Sequence, residues 1–213
     1  MEVIHAIQRR RTGRPLSFNR DTALEEAMLA FWRHGYETTS IADLTSAMGI
    51  TAPSLYAAFG DKKRLFLEAM RRYAGDPLEM ERQLAAAPTA RDAARDMLVA
   101  AATAFTGELT PRGCLLASAT ASGSEASADV RSAVSAVRRR IAADLMDRID
   151  QDIAVGILPV STNAAALSDL ILAVVQGMSV LARDNLPRER LLALADQAMS
   201  AWPSQSPMRD ASA

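Results

Sequence analysis

The chain has 213 residues, enough for one large domain or two small ones with a buried core. Its formal net charge of -1 divides unevenly: residues 1–75 carry eleven basic and eight acidic side chains, residues 76–213 thirteen and seventeen. A basic third on an acidic remainder fits a nucleic-acid reader joined to a separate module, while one cysteine and two scattered histidines exclude a disulfide framework and a Cys/His zinc site.

Alanine supplies 42 residues and β-branched runs are short, so the composition favours helix throughout. Residues 1–17 hold Arg9, Arg10, Arg11 and Arg14 around Gly13 and Pro15 and read as a flexible basic arm. A helix is predicted over 20–34, because Leu24, Ala27, Met28, Phe31 and Trp32 recur at three- and four-residue spacing and Gly35 stops it. Ser40 and Asp43 form a capping-box-like start for a short helix that Gly49 closes. Thr51 caps the next, 52–59, with Pro53 tolerated in its first turn. A fourth runs over 62–74 and ends at Gly75 and Pro77. Longer helices follow at 78–86, 89–106, 112–121, 125–153, 163–183 and 187–202, broken by proline or glycine, and a polar tail closes the chain over 204–213.

The stretch 164–182 is long and apolar enough for a membrane span, but it contains Asp169 and Gln176 and many small residues. It reads as a buried or interface helix. No secretory signal is visible near the N-terminus, where an apolar run is missing, so a soluble cytoplasmic protein is expected. There is no Walker-type glycine loop, and Gly123-Ser124 lacks the spacing of a nucleophile elbow.

The informative stretch is 40–62. Two short helices joined by a tight turn at Gly49 make a helix-turn-helix over about 40–59. Ile41, Leu44, Met48, Ile50, Leu55 and Phe59 would pack the pair together and against Phe31 and Trp32. The outer face of 52–58 is then short and free of bulk, with Thr51, Ser54 and Tyr56 as its polar groups, which suits entry into a major groove. An ordinary helical hairpin, in which Thr51 and Ser54 serve only as caps, is the plainer alternative.

The run from Phe31 through Gly35-Tyr-Glu-Thr-Thr-Ser-Ile-Ala-Asp-Leu44, then Met48-Gly-Ile-Thr-Ala-Pro-Ser-Leu-Tyr-Ala-Ala-Phe-Gly-Asp-Lys62, resembles the DNA-binding domain of the tetracycline-repressor-like (TetR) family of bacterial regulators. The resemblance implies an all-α homodimer: a three-helix DNA-binding domain over 18–76, and a helical effector-binding and dimerisation domain over 77–203. It also implies a palindromic double-stranded operator, a small-molecule effector that lowers operator affinity, and no cofactor. Carried over by position, Tyr56, Lys62 and either Thr39 or Ser40 match phosphate contacts, and Thr51, Ala52, Pro53 and Ser54 match base-reading positions. Ala52 and Pro53 offer only apolar contact, so thymine methyls and DNA shape should outweigh bidentate pairs. Arg14, within Gly-Arg-Pro, suits a narrow minor groove, the alternative being a tail with only non-specific attraction.

Ten aromatic residues occur, and only Phe105 and Trp202 follow residue 75. The expected pocket lining is Met97, Phe105, Leu116, Met146 and Met178, with polar points at Thr103, Thr120 and Gln176, which favours a flexible or aliphatic ligand over a planar cation. For dimerisation, Ala166, Leu170, Ala173, Gly177 and Val180 form one helical stripe, and Leu191, Leu194, Ala198 and Trp202 another. Cys114, beside Arg112 at a predicted helix start, is a possible redox residue, a small buried hydrophobe being the alternative. An activator or ligand-independent DNA binder of the same fold is the nearest rival. A helical enzyme lacks a clustered acid, base or nucleophile.

Overall fold

The computed structural model describes residues 18–118 and 127–203. Among these, ten helices and no strands occur: α1 (Arg20–His34), α2 (Ile41–Met48), α3 (Ala52–Phe59), α4 (Lys62–Ala74), α5 (Pro77–Ala86), α6 (Ala90–Phe105), α7 (Leu115–Ser118), α8 (Ala128–Ala154), α9 (Ala164–Arg183) and α10 (Arg188–Met199). The arm with Arg14, the tail, and Thr120 lie outside the described residues.

Local chemistry sets the first four helices. Asn19 Oδ1 accepts the N–H groups of Asp21 and Thr22, satisfying two of the unpaired donors at the start of α1. Ser40 and Asp43 complete the capping box of α2, Thr51 caps α3, and Asp61 Oδ1 accepts the Arg64 N–H at the start of α4. Gly49, at φ +63°, takes the left-handed cap conformation that turns α2 into α3. Leu44, Leu55, Leu65 and Phe66 are fully enclosed between these helices and α1. Phe66 meets Phe31 edge-on at 5.1 Å and Tyr36 at 5.0 Å between ring centroids.

In the second part of the chain α6, α8, α9 and α10 pack on one another. A buried ion pair pins one end. Arg148 bonds Asp152 one turn later and donates to the carbonyls of Ala87 and Pro88, while Asp152 Oδ2 accepts the Ala90 N–H at 2.7 Å. Every partner is thus hydrogen-bonded, as charges this deeply buried require.

Two expectations change. The helix expected from 112 begins only at Leu115, because Gly113 at φ +79° holds the preceding loop against α9. Of the stripe expected over 187–202, Leu191 and Trp202 are buried in the protomer, 0% and 8% exposed, and Trp202 lies beyond the end of α10 at Met199. Leu191 packs into the hydrophobic core together with Ala195 and Met199, since α10 has one apolar face to give and spends it mainly on α6. Leu194 and Ala198 remain half-buried.

Candidate nucleic-acid interface

The N-terminal ends of α2, α3 and α4 gather the polar groups singled out in the sequence. Ser40 is exposed; its hydroxyl donates to Asp43 Oδ2 at 2.6 Å and its backbone N–H to the same oxygen at 2.8 Å. These two bonds, the hydroxyl first, hold the Asp43 carboxyl below its ordinary range, and the charge of nearby Lys62 adds to the effect. Thr39 is different. Its side chain is buried and its hydroxyl donates inward to the Gly35 carbonyl at 2.6 Å, so Ser40 is the residue of the pair with a hydroxyl at the surface.

Lys62 is half-buried, with Nζ 4.7 Å from the Tyr36 ring centroid and donating to the Glu37 carbonyl at 3.2 Å. Burial pulls its pKa below the usual lysine value, opposed by Glu37 and Asp43. An ammonium has three donors, so this anchoring leaves two for a further acceptor. On α3, Leu55 and Phe59 point into the core, while Thr51, Pro53, Tyr56 and Ala57 are exposed and Ala52 and Ser54 half-buried. Thr51 Oγ1 accepts the Ser54 N–H at 3.4 Å and lies 2.9 Å from Ser54 Oγ.

Two arginines that spacing does not single out tie α1 to its neighbours, Arg20 behind this surface and Arg183 at the junction with α9. Arg20 makes a two-pronged pair with Glu68 of α4 (2.5 and 2.7 Å), reaches the Ala58 carbonyl, and lies over the Phe59 ring at 4.4 Å. It thereby ties the C-terminal end of α3 to α1 and α4. Arg183, at the end of α9, donates to the Trp32 carbonyl at 2.9 Å. Trp32 Nε1 in turn donates to the Gly113 carbonyl at 2.9 Å. A Cβ at Gly113 would lie 2.7 Å from the Ser179 carbonyl oxygen, so only glycine fits there. The partners of these bonds lie 81 and 151 positions apart, beyond the reach of any local spacing.

Cys114 sits in the same junction and is buried; its N–H donates to Ser179 Oγ at 2.8 Å and its Sγ accepts from the Tyr73 hydroxyl at 3.3 Å. Burial first, then the Cys114 sulfur, raises the pKa of Tyr73.

The residues expected around an effector divide. Phe105, Leu116 and Met178 are buried, and Met97 and Met146 are half-buried against the same core. Gln176 is half-buried. Thr103 is exposed and its hydroxyl donates to the Val99 carbonyl at 2.9 Å, so it belongs to the outer face of α6 and not to a pocket wall. On α9, by contrast, the whole stripe Ala166, Leu170, Ala173, Gly177 and Val180 is exposed in the protomer. Only 28% of the most apolar stretch of this helix is buried, and a Cβ at Gly177 would meet nothing within 4 Å.

Two family models match the chain: "Bacterial regulatory proteins, tetR family" over residues 23–69, and "Tetracyclin repressor-like, C-terminal domain" over residues 90–199. The HTH-type transcriptional repressor ComR of Escherichia coli is 35% identical over 193 residues, covering 90% of this chain and 92% of that one. A cysteine-substituted form of the TetR family regulator CifR, solved with 26-bp double-strand operator DNA, is 43% identical with a TM-score of 0.84, over 90% of this chain and 100% of that one. A TetR-type regulator from Rhodococcus sp. RHA1, described as putative, is 39% identical with a TM-score of 0.60, over 85% and 98%.

Proposed function

This chain belongs to the TetR family of bacterial transcriptional regulators, and on that premise we propose that it represses transcription as a homodimer on a palindromic operator and is released by a small molecule. The family is one of soluble DNA-binding regulators and not of enzymes. The observation that carries the proposal is the surface that joins Ser40, Lys62 and the exposed side of α3: hydroxyls and an anchored ammonium for phosphates, flanking a slim helix for the major groove. In this reading residues 18–76 bind DNA in the cytoplasm, with Tyr56 as a further phosphate contact, and residues 77–203 dimerise and take the effector. Arg14, outside the described residues, is assigned to the adjacent minor groove.

The α9 stripe supports the second copy. An apolar helix face left open to water is what a subunit interface covers, and glycine at 177 has no reason within the protomer. The test is selection of the full-length chain on random duplex DNA, followed by sedimentation of the complex. The expected result is an inverted repeat bound by two copies; enrichment of no sequence would overturn the proposal.

A further inference from the structure

The outward side of α3 carries an unusual instruction for the base pairs it would meet. Thr51, Ala52, Pro53, Ser54, Tyr56 and Ala57 are its exposed or half-buried residues. No Arg, Lys, Asn or Gln is among them, and those are the side chains that make two-pronged contacts to guanine or adenine. The two hydroxyls near the start of the helix are also partly spent. With Thr51 Oγ1 and Ser54 Oγ 2.9 Å apart, one hydroxyl proton lies between them, and Thr51 Oγ1 accepts the Ser54 N–H as well. One proton of the pair is left to donate to a base. Tyr56, half exposed, carries the one further hydroxyl of this face and is assigned above to a phosphate. The rest of the surface is hydrocarbon: the Thr51 methyl, the Ala52 and Ala57 methyls and the Pro53 ring. In the major groove the 5-methyl of thymine is the apolar group that such a surface can recognise.

We infer that this chain selects its operator mainly through thymine 5-methyl groups packed against Ala52, Pro53 and Ala57, with the Thr51–Ser54 hydroxyl pair adding a single donor. The inference rests on the DNA-binding function proposed above and names the chemistry of its base recognition. Lys62 does not compete for this role, because its ammonium is anchored at the Glu37 carbonyl and over Tyr36, at the start of α4.

The test keeps the protein unaltered. Operators are selected from random duplex DNA with the full-length chain, and each thymine of the enriched half-site is then replaced by uracil, which removes the methyl and keeps the Watson–Crick edge. The methyl projects into the major groove, so contacts in the minor groove are blind to the change. Losing burial of one such group should weaken binding about fourfold per position, and roughly 15-fold when both half-sites carry the change. Uracil placed in the flanks should have no effect. Enriched half-sites whose uracil forms bind within twofold of the thymine forms, or half-sites recognised through guanine with no thymine at their centre, would overturn methyl recognition and leave DNA binding intact. A selection that enriches nothing overturns both.

Discussion

Replacing Lys62 with alanine separates a phosphate contact from a structural one. In the free protein the Lys62 ammonium donates to the Glu37 carbonyl at 3.2 Å and lies 4.7 Å from the Tyr36 ring centroid. Losing one hydrogen bond and one half-exposed cation–π contact should cost about 1–2 kcal/mol of stability, which a folded domain tolerates. The effect on DNA has a different signature. Each phosphate neutralised adds about 0.9 to the slope of log affinity against log salt, and a dimer places two Lys62 side chains on its operator. The variant's slope should therefore fall by about 1.8, so that between about 50 and 200 mM salt the wild type loses roughly 12-fold more affinity than Lys62→Ala. Fluorescence anisotropy on a selected operator and on scrambled duplex, at several salt concentrations, measures it. The loss should be similar for both DNAs, because phosphates carry no sequence. An unchanged slope with a lowered unfolding midpoint would refute the assignment and leave Lys62 as a clamp on Tyr36.

Gly113→Ala puts a Cβ 2.7 Å from the Ser179 carbonyl oxygen at φ +79°, so urea unfolding should show a loss of about 2–4 kcal/mol. Gly49→Ala, at φ +63° with open space around it, should lose only about 1 kcal/mol, and equal losses would contradict the close approach at Gly113. A Cβ at Gly177 meets nothing within 4 Å in the protomer, so for Gly177→Glu sedimentation velocity should report a folded monomer; a persistent dimer would move the interface away from α9. In an operator-release screen, flexible aliphatic acids, esters or alcohols should act where planar cationic dyes do not, and Phe105→Leu should blunt release without changing operator affinity. Release by ethidium alone would contradict that pocket chemistry.

The helix-turn-helix was legible in the sequence because its signals are local. Ser40 with Asp43, Gly49 and Thr51 act within one turn of their own positions, and each appears in the structure as the cap or turn its chemistry implies. Burial along α3 follows from its apolar spacing for the same reason. The errors lie where periodicity has two solutions. Leu191 shares a helical stripe with Leu194 and Ala198, and spacing would extend it to Trp202 beyond the end of α10, yet spacing cannot say whether a stripe faces the chain's own core or a second copy. Thr39 and Ser40 are adjacent hydroxyls of equal promise, separated only by the Gly35 carbonyl that takes up the first. Arg20, Arg183 and Gly113 act through partners distant in sequence, and no local pattern marks them.

Those distant bonds bear on how one domain can inform the other. The outer stripe of α9 is exposed in the protomer, while its inner residues Ser179 and Arg183 hold the Cys114 N–H and the Trp32 carbonyl. The loop between them is bonded to α6 as well, through the Gly113 N–H and the Phe105 carbonyl at 3.0 Å. The last turn of α1, the end of α6 and the last turn of α9 therefore share one small set of hydrogen bonds. Four bonds meet at Trp32, Gly113 and Cys114, and at about 1 kcal/mol net each they hold the junction by roughly 4 kcal/mol. In the proposed reading, an effector at Phe105 or Leu116 would adjoin this loop without touching the DNA-binding surface. It changes operator affinity only to the extent that it binds one arrangement of the junction more tightly than the other, and a compound indifferent to that arrangement leaves the operator occupied however tightly it binds.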